Sequence, residues 1–390
     1  MGFDEAITMK ELGKAVRQCK KGVADKDAPI EWYCHSLTKT KKLKDSITSG
    51  RYKARPGHKV EIYRPKRRTA TAPYFRDRVW QRSMCNNGVY DDITKSFVLD
   101  NIACQKGKGM DLAVRRLVKA LQKLHREDPG APIYVVHLDV RKFFPSTPHS
   151  CIKEMDCRII TDPRFIPYLE EIIDSSRDER PREEIEADPF GERGTGLGSQ
   201  INQLHQVALL DPLDHELKTF CRFYIRYNDD FLVLSHNKDI VKRAEKVIER
   251  RLAGLGLEMT NKSGITTAQH GVTFLRKRFL IQPEGKIIIR LHSKALAEER
   301  QALRRLKRDL DAGLIDMDHV NRHYQSVIAG WEYAGDAPIR AMDKFYTELF
   351  RTHPEYKRKK RYLYGKENQA RCDQKNADAR AREHETQSRE

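Results

Sequence analysis

No apolar stretch in this 390-residue chain approaches the ~20 residues that would cross a bilayer. The first residues also lack the apolar centre of a secretory signal. A membrane-embedded or exported protein is therefore not expected, and a cytoplasmic one is. The cysteines (Cys19, Cys34, Cys85, Cys104, Cys151, Cys157, Cys221 and Cys372) show no Cys-x-x-Cys spacing. They read as buried or incidental thiols of a reducing compartment, with no zinc finger or disulfide framework among them. No internal repeat is visible, and no Gly-Lys-Ser/Thr follows a glycine at the spacing of a P-loop. Acid is in deficit: 56 Asp and Glu against 74 Lys and Arg leave a formal charge of +18. A field of that sign favours polyanions and speeds their capture. Hydrophobic residues make up only 39%, but at this length they suffice for a large core with subdomains.

Against that background one stretch stands out, Arg226-Tyr227-Asn228-Asp229-Asp230-Phe231. The apolar runs Phe223–Ile225 and Phe231–Leu234 flank an Asn-Asp turn, which predicts a β-hairpin with adjacent carboxylates at its tip. Clustered acids repel, so a rigid turn carrying them points to a cation that neutralises them. A polar turn without a metal is the alternative. About ninety residues earlier, Ile133–Val140 reads as a buried strand whose single acid, Asp139, lies near its end. A charge in that position is costly unless paired or liganded; the bland reading is an Asp capping the next turn. If strand and hairpin are neighbours, three carboxylates converge, which suits two Mg²⁺ ions roughly 3.5–4 Å apart.

Asp139 with the following Phe143-Phe144, the Tyr-Asn-Asp-Asp hairpin and the segments between them resemble the palm motifs of reverse transcriptases. The resemblance is closest to bacterial, non-retroviral enzymes, those of diversity-generating retroelements and the related defence-associated ones. It runs from about Lys59 to about Phe350. It implies an α+β right-hand polymerase fold with fingers, an antiparallel-sheet palm and a helical thumb. It also implies RNA-directed DNA polymerase activity with two Mg²⁺ ions (Mn²⁺ able to substitute) held by Asp139, Asp229 and Asp230. Deoxynucleotides, an RNA template and a DNA product would be the partners. The implied layout is an N-terminal helical extension over 1–50, fingers and palm over 51–282, a thumb over 283–352 and a basic, disordered tail over 353–390.

Other segments acquire roles from the same resemblance. Glu61–Arg68 reads as a strand running into a basic turn, and Lys66 and Arg68 match the family's triphosphate-contacting positions; a solvated loop is the alternative. Arg76-Asp77-Arg78 matches the helix-opening motif that braces fingers and template, with Arg76 and Arg78 near template or primer. The Gly-rich loop carrying Lys106 and Lys108 could cradle a phosphate, and the family has a basic glycine motif there. It precedes a helix with Leu117, Val118, Leu121 and Leu124 on one face. Gly194–Gln203 matches the third motif: its glycines would let backbone approach a base pair, and Gln203 stands at the family's glutamine. Asn202 replaces the usual serine of diversity-generating enzymes, and Gly196 a proline common among relatives, which points away from that subgroup. The charged stretch 175–193 ahead of it looks like a surface insertion.

Lys262 matches a lysine that can protonate departing pyrophosphate, with an ordinary surface lysine as the alternative. Phe144, five positions after Asp139, matches the aromatic that leaves no room for a 2′-hydroxyl, so a DNA product is expected; of Phe143 and Phe144, one should be core and the other this gate. In the thumb, Ser293 is expected to cap a helix with Leu296, Leu303, Leu306 and Leu310 as its stripe and Gly313 beyond its end. Arg304, Arg305, Lys307 and Arg308 on its other faces would track duplex phosphates, or are simply solvated. No RNase H, endonuclease or integrase segment is expected. The expected role is defence, with the enzyme bound to its own non-coding RNA and open to a second subunit or self-association. Mutagenic copying in a diversity-generating element and a non-catalytic RNA-binding scaffold are the alternatives.

Overall fold

A computed structural model describes residues 2–21, 27–62, 68–176, 178–260 and 264–355. The chain divides into two compact units: residues 1–274 with 281–287, and residues 275–280 with 288 onward. It crosses between them within the strand segments Val272–Phe274, Lys277–Ile281 and Ile287–Leu291.

The first unit is α+β. Its opening helices include Met9–Lys20, where Thr8 accepts a hydrogen bond from the Glu11 amide and so supplies one of the partners a helix start lacks. Leu12, Ala15, Val16 and Cys19 fall on one face of this helix and are buried. They join the same core as Val136, Leu138 and Val233, so the described residues of 1–50 belong to this unit. Two strands, β1 (His58–Ile62) and β2 (Arg68–Ala72), form an antiparallel hairpin in which His58 opposes Ala72.

The central sheet contains β3 (Tyr134–Asp139), β4 (Phe223–Tyr227), β5 (Asp230–Ser235) and the short β6 (Thr266–Thr267), in the order β4-β5-β3-β6, with every pair antiparallel. Val136 and Leu138 of β3 lie beside Val233 and Phe231 of β5, and all four are buried. The helix Lys238–Gly254, capped by Asn237, buries Val241, Ala244, Ile248 and Leu252 in the same core. Covering a Val or Leu side chain in this way contributes about 1.5–3 kcal/mol. It also fixes the direction of alternate residues: with Val136 and Leu138 facing that core, His137 and Asp139 must face the other way.

The stretch expected to be a surface insertion does carry an exposed helix, Arg182–Ala187, yet it is anchored at both ends. Arg180 pairs with Asp178 and Asp188, and Arg193 donates to the carbonyls of Ser146 and Gly256. The mutual pairing of acids and bases explains how so charged a segment holds a shape.

The second unit is a three-helix bundle of Ala295–Asp311, Met317–Trp331 and Asp336–Phe350. Its core is Leu303, Leu306, Val320, Tyr324, Ile328, Ile339, Met342 and Tyr346, with Leu296 and Leu310 half-buried at the rim. Ser293 is not the cap: the helix starts one residue later, after Lys294, and no side chain caps it. Gly313, with φ +69°, follows its end as expected. No helix among the described residues is long and apolar enough to cross a membrane.

Candidate active site

Register places the acids. Asp139, last in β3, lies directly opposite Asp230, first in β5, and directly opposed residues project to the same face of a sheet. Asp229 precedes Asp230 in the hairpin turn, where Asn228 adopts a left-handed conformation (φ 60°) that asparagine tolerates better than most residues. Burial and, after it, the charges of Asp139 and Asp230 push the Asp229 carboxyl up to about 6. Asp139 is raised as well, again by burial first and by Asp230 second, while a hydrogen bond from the Thr260 hydroxyl (3.3 Å) partly offsets this. Acids gathered on one turn and one strand end thus resist ionising together, and an oxygen-only donor set of this kind fits a hard divalent cation.

The oxygens of the three aspartates are not drawn to one point. Among the described residues, the one trio with ligand atoms all within 4.8 Å of each other is His149, Asp174 and Glu192. His137 lies beside the aspartates, its Nε2 3.1 Å from Asp230 Oδ1.

The turn rests on a buried arginine whose role is not evident from the sequence. Arg226 is fully buried with Asp214; its Nε lies 2.7 Å from Asp214 Oδ1, and the Tyr224 hydroxyl donates to the same carboxylate. Its other nitrogens reach the carbonyls of Asn228 (3.0 Å) and Val207 (2.9 Å). One guanidinium therefore ties the hairpin turn to the helices Gln200–Leu209 and Asp211–Lys218. The rigid fork of arginine suits this bridging in a way a lysine would not. The signal available in sequence was a charged residue inside an otherwise apolar strand.

Beyond Asp139 the chain turns through Lys142 (φ 47°) into a short helix, Phe143–Ser146. Phe143 enters the core, while Phe144 stays half-buried, edge-on to it at 6.1 Å. The Phe144 carbonyl accepts from the Thr195 amide (2.9 Å), which places the third motif beside it. Within that motif the Gly198 backbone lies close to β2: a Cβ there would stand 2.8 Å from the Ala72 Cα. Behind them, Gln206 donates to Thr195 Oγ1 and accepts from the Thr147 hydroxyl, a buried network the sequence did not suggest. A cleft of about 840 Å³ opens here, walled by Lys59 and Thr71 of the hairpin, by Arg141 and Lys142, and by Thr195 and Gly196. The three aspartates lie outside its walls.

The remaining expected site residues are spread more widely. Gln203 is exposed, its amide donating to the Leu197 carbonyl at 3.2 Å. Arg76 pairs with Asp77, and the buried Asp77 accepts from the Tyr52 hydroxyl, so the motif braces residues 52–55. Arg78 lies over the Phe75 ring and reaches the Cys19 carbonyl. Lys106 lies over the Tyr90 ring at 4.2 Å. Lys108 turns inward, its ammonium donating to Asn101 O at 2.8 Å and reaching Val98 O, and burial lowers its pKa. In the bundle, Arg304 stacks over Phe345, Lys307 pairs with Asp311, and Arg305 and Arg308 are exposed. Lys66, Lys262, the side chain of Arg68 and the tail from residue 356 lie outside the described residues. The neighbours of Lys262 are placed: residues 258–260 run beside 139–141, with the Thr260 amide donating to the Asp139 carbonyl at 2.8 Å.

No protein-family model matches the chain, and no curated protein does. Among solved structures it is similar to telomerase from Candida albicans in complex with a fragment of telomeric RNA, with a TM-score of 0.45 and 10% identity over 84% of this chain and 60% of that one. It is similar to apo telomerase from Candida tropicalis, at 0.45 and 12% over 76% and 60%. It is also similar to the RNA-dependent RNA polymerase of a human picobirnavirus, at 0.48 and 17% over 73% and 54%. The chain thus spans 60% of the length of these telomerases and 54% of the viral enzyme. None of these scores reaches 0.5, so the functional reading rests on the residues of this chain.

Proposed function

We propose that this protein is a template-directed polymerase that copies RNA into DNA. The observation that carries the reading is the register pairing of Asp139 with Asp230, with Asp229 beside them at the turn. A protein that only bound RNA would gain nothing from acids that repel one another on its surface. Asp139, Asp229 and Asp230 would hold the divalent ions, which when bound would activate a primer 3′-hydroxyl and neutralise the triphosphate.

The chain's own groups supply the rest. Arg226 holds the hairpin turn in place through the Asn228 carbonyl. The walls of the cleft mix acids and bases, with Lys59 paired to Glu179 and Arg141 to Glu258; these two cations and Lys142 would meet the triphosphate of an incoming nucleotide by exchanging those partners. The half-exposed Phe144 suits selection of deoxynucleotides by crowding the 2′ position. Exposed cations of the helical bundle suit a nucleic-acid backbone read without regard to sequence. The finer role we assign is defence, with a cognate non-coding RNA as template and a bacterial cytoplasm as the setting.

Primer extension on an RNA template tests the reading. Asp229→Ala with Asp230→Ala should abolish extension in Mg²⁺ or Mn²⁺ while RNA affinity stays near wild type. Full extension by the double variant would remove the polymerase assignment, and a wild type that binds RNA tightly without extending any primer would favour a scaffold.

A further inference from the structure

His149 is 4% exposed and opens the helix His149–Ile159. Its Nε2 lies 2.6 Å from the Gly194 carbonyl, which can only accept, so the proton sits on Nε2. In the neutral ring Nδ1 then carries a lone pair, and this buried atom has no hydrogen-bond partner. It faces Asp174 Oδ1 and Glu192 Oε2, each at 3.6 Å, and both carboxylates are open to solvent. A lone pair facing two acids is an unfavourable grouping, which Lys153, paired with Asp174, relieves only in part.

The distances discriminate between two positive fillers. A charge-assisted hydrogen bond from an imidazolium would bring nitrogen and oxygen to about 2.7–2.9 Å. Two ligands of a tetrahedral ion, each at about 2.0–2.1 Å, stand about 3.4 Å apart. The observed spacing fits the second arrangement. The backbone carbonyl on Nε2 is also the outer contact that fixes the tautomer of metal-binding histidines. Lys153 donates to both Asp174 oxygens (2.7 and 2.9 Å), so an ion would share that carboxylate with an ammonium.

We propose that His149, Asp174 and Glu192 form a second metal site, separate from the aspartate centre, that takes a borderline transition ion such as Zn²⁺. One nitrogen and two oxygens, with water completing the shell, favour such an ion over Mg²⁺ or Ca²⁺. The site joins three segments: Asp174 ends one palm helix, His149 begins another, and Glu192 closes the charged stretch before the third motif. A metal there would clip that stretch onto the palm, next to the Gly194–Thr195 backbone that meets Phe144.

Co²⁺ replacing Zn²⁺ gives a visible readout independent of polymerase activity. The full chain would be titrated with Co²⁺ in excess Mg²⁺, which occupies oxygen-only sites. We expect a ligand-field band saturating at one equivalent, bleached by Zn²⁺ and lost in both Glu192→Gln and Asp174→Asn. Those carboxylates are exposed, so the variants should fold, which circular dichroism checks. No band in the wild type, or a band unchanged in both variants, would overturn the proposal.

Discussion

Replacing Asp229 with Asn should stabilise the metal-free protein while destroying its proposed activity. The rise of the Asp229 carboxyl from 3.8 to about 6 corresponds to about 3 kcal/mol of unfavourable charge at neutral pH. Water reaching the half-buried turn screens part of this, so a gain of about 1–3 kcal/mol is expected. The sign follows from proton binding. Folded Asp229 holds its proton more tightly than the unfolded chain does, so the wild type loses stability as pH rises from about 4 to about 6. The amide does not titrate. The advantage of the variant should therefore be absent below about pH 4, grow through that window and level off above it. Asn228, which donates to Asp229 Oδ1 at 3.1 Å, can donate equally to an amide oxygen, so the local geometry is kept. Urea unfolding in EDTA from pH 4 to 8 measures the difference, and repetition in Mg²⁺ should narrow it because the ion binds the folded wild type preferentially. An Asn variant no more stable than wild type at pH 7.5 in EDTA would refute the claim that these acids repel in the folded protein.

Four further outcomes follow from other parts of the molecule. Phe144→Ala should admit ribonucleotides in primer extension that the wild type rejects; equal use of both by the wild type would sink the DNA-product reading. Arg226→Leu should cost about 3–5 kcal/mol in chemical denaturation because Asp214 is left buried and unpaired. Arg226→Lys should keep the fold better but slow extension without changing RNA affinity, since it keeps the charge and loses the fork. Neutralising exposed Arg305 and Arg308 should shorten products and flatten the salt dependence of RNA binding, by about 0.7–0.9 in slope for each phosphate that no longer meets a cation. An unchanged slope would mean these cations only face water.

What could be read from sequence, and what could not, divides along the range of the interactions. The hairpin was legible because its signal is local: apolar runs on either side of Asn228-Asp229 state where two strands begin and where they turn. The stripe Leu303, Leu306, Leu310 was legible for the same reason, since helical period is written within a single turn or two. Even there the start slipped, because Ser293 fits the preferred chemistry of a cap and the chain begins its helix after Lys294 regardless. Asp139 could be placed on a strand, but not opposite Asp230, because register depends on how one face buries Val136 and Leu138 with Val233 and Phe231. The basic loop shows the limit of composition most plainly. Lys106 and Lys108 are two residues apart and chemically identical, yet one lies over the Tyr90 ring and the other spends its ammonium on the carbonyls of Val98 and Asn101. Only tertiary structure separates a lysine available to phosphate from one that holds its own loop. The His149 cluster lies further out of reach, since its members come from three segments and none of them carries a spacing that local chemistry would mark. In this chain the acids of the proposed reaction announce themselves by repelling one another, while the groups that position them, Arg226 above all, look in sequence like any other charge.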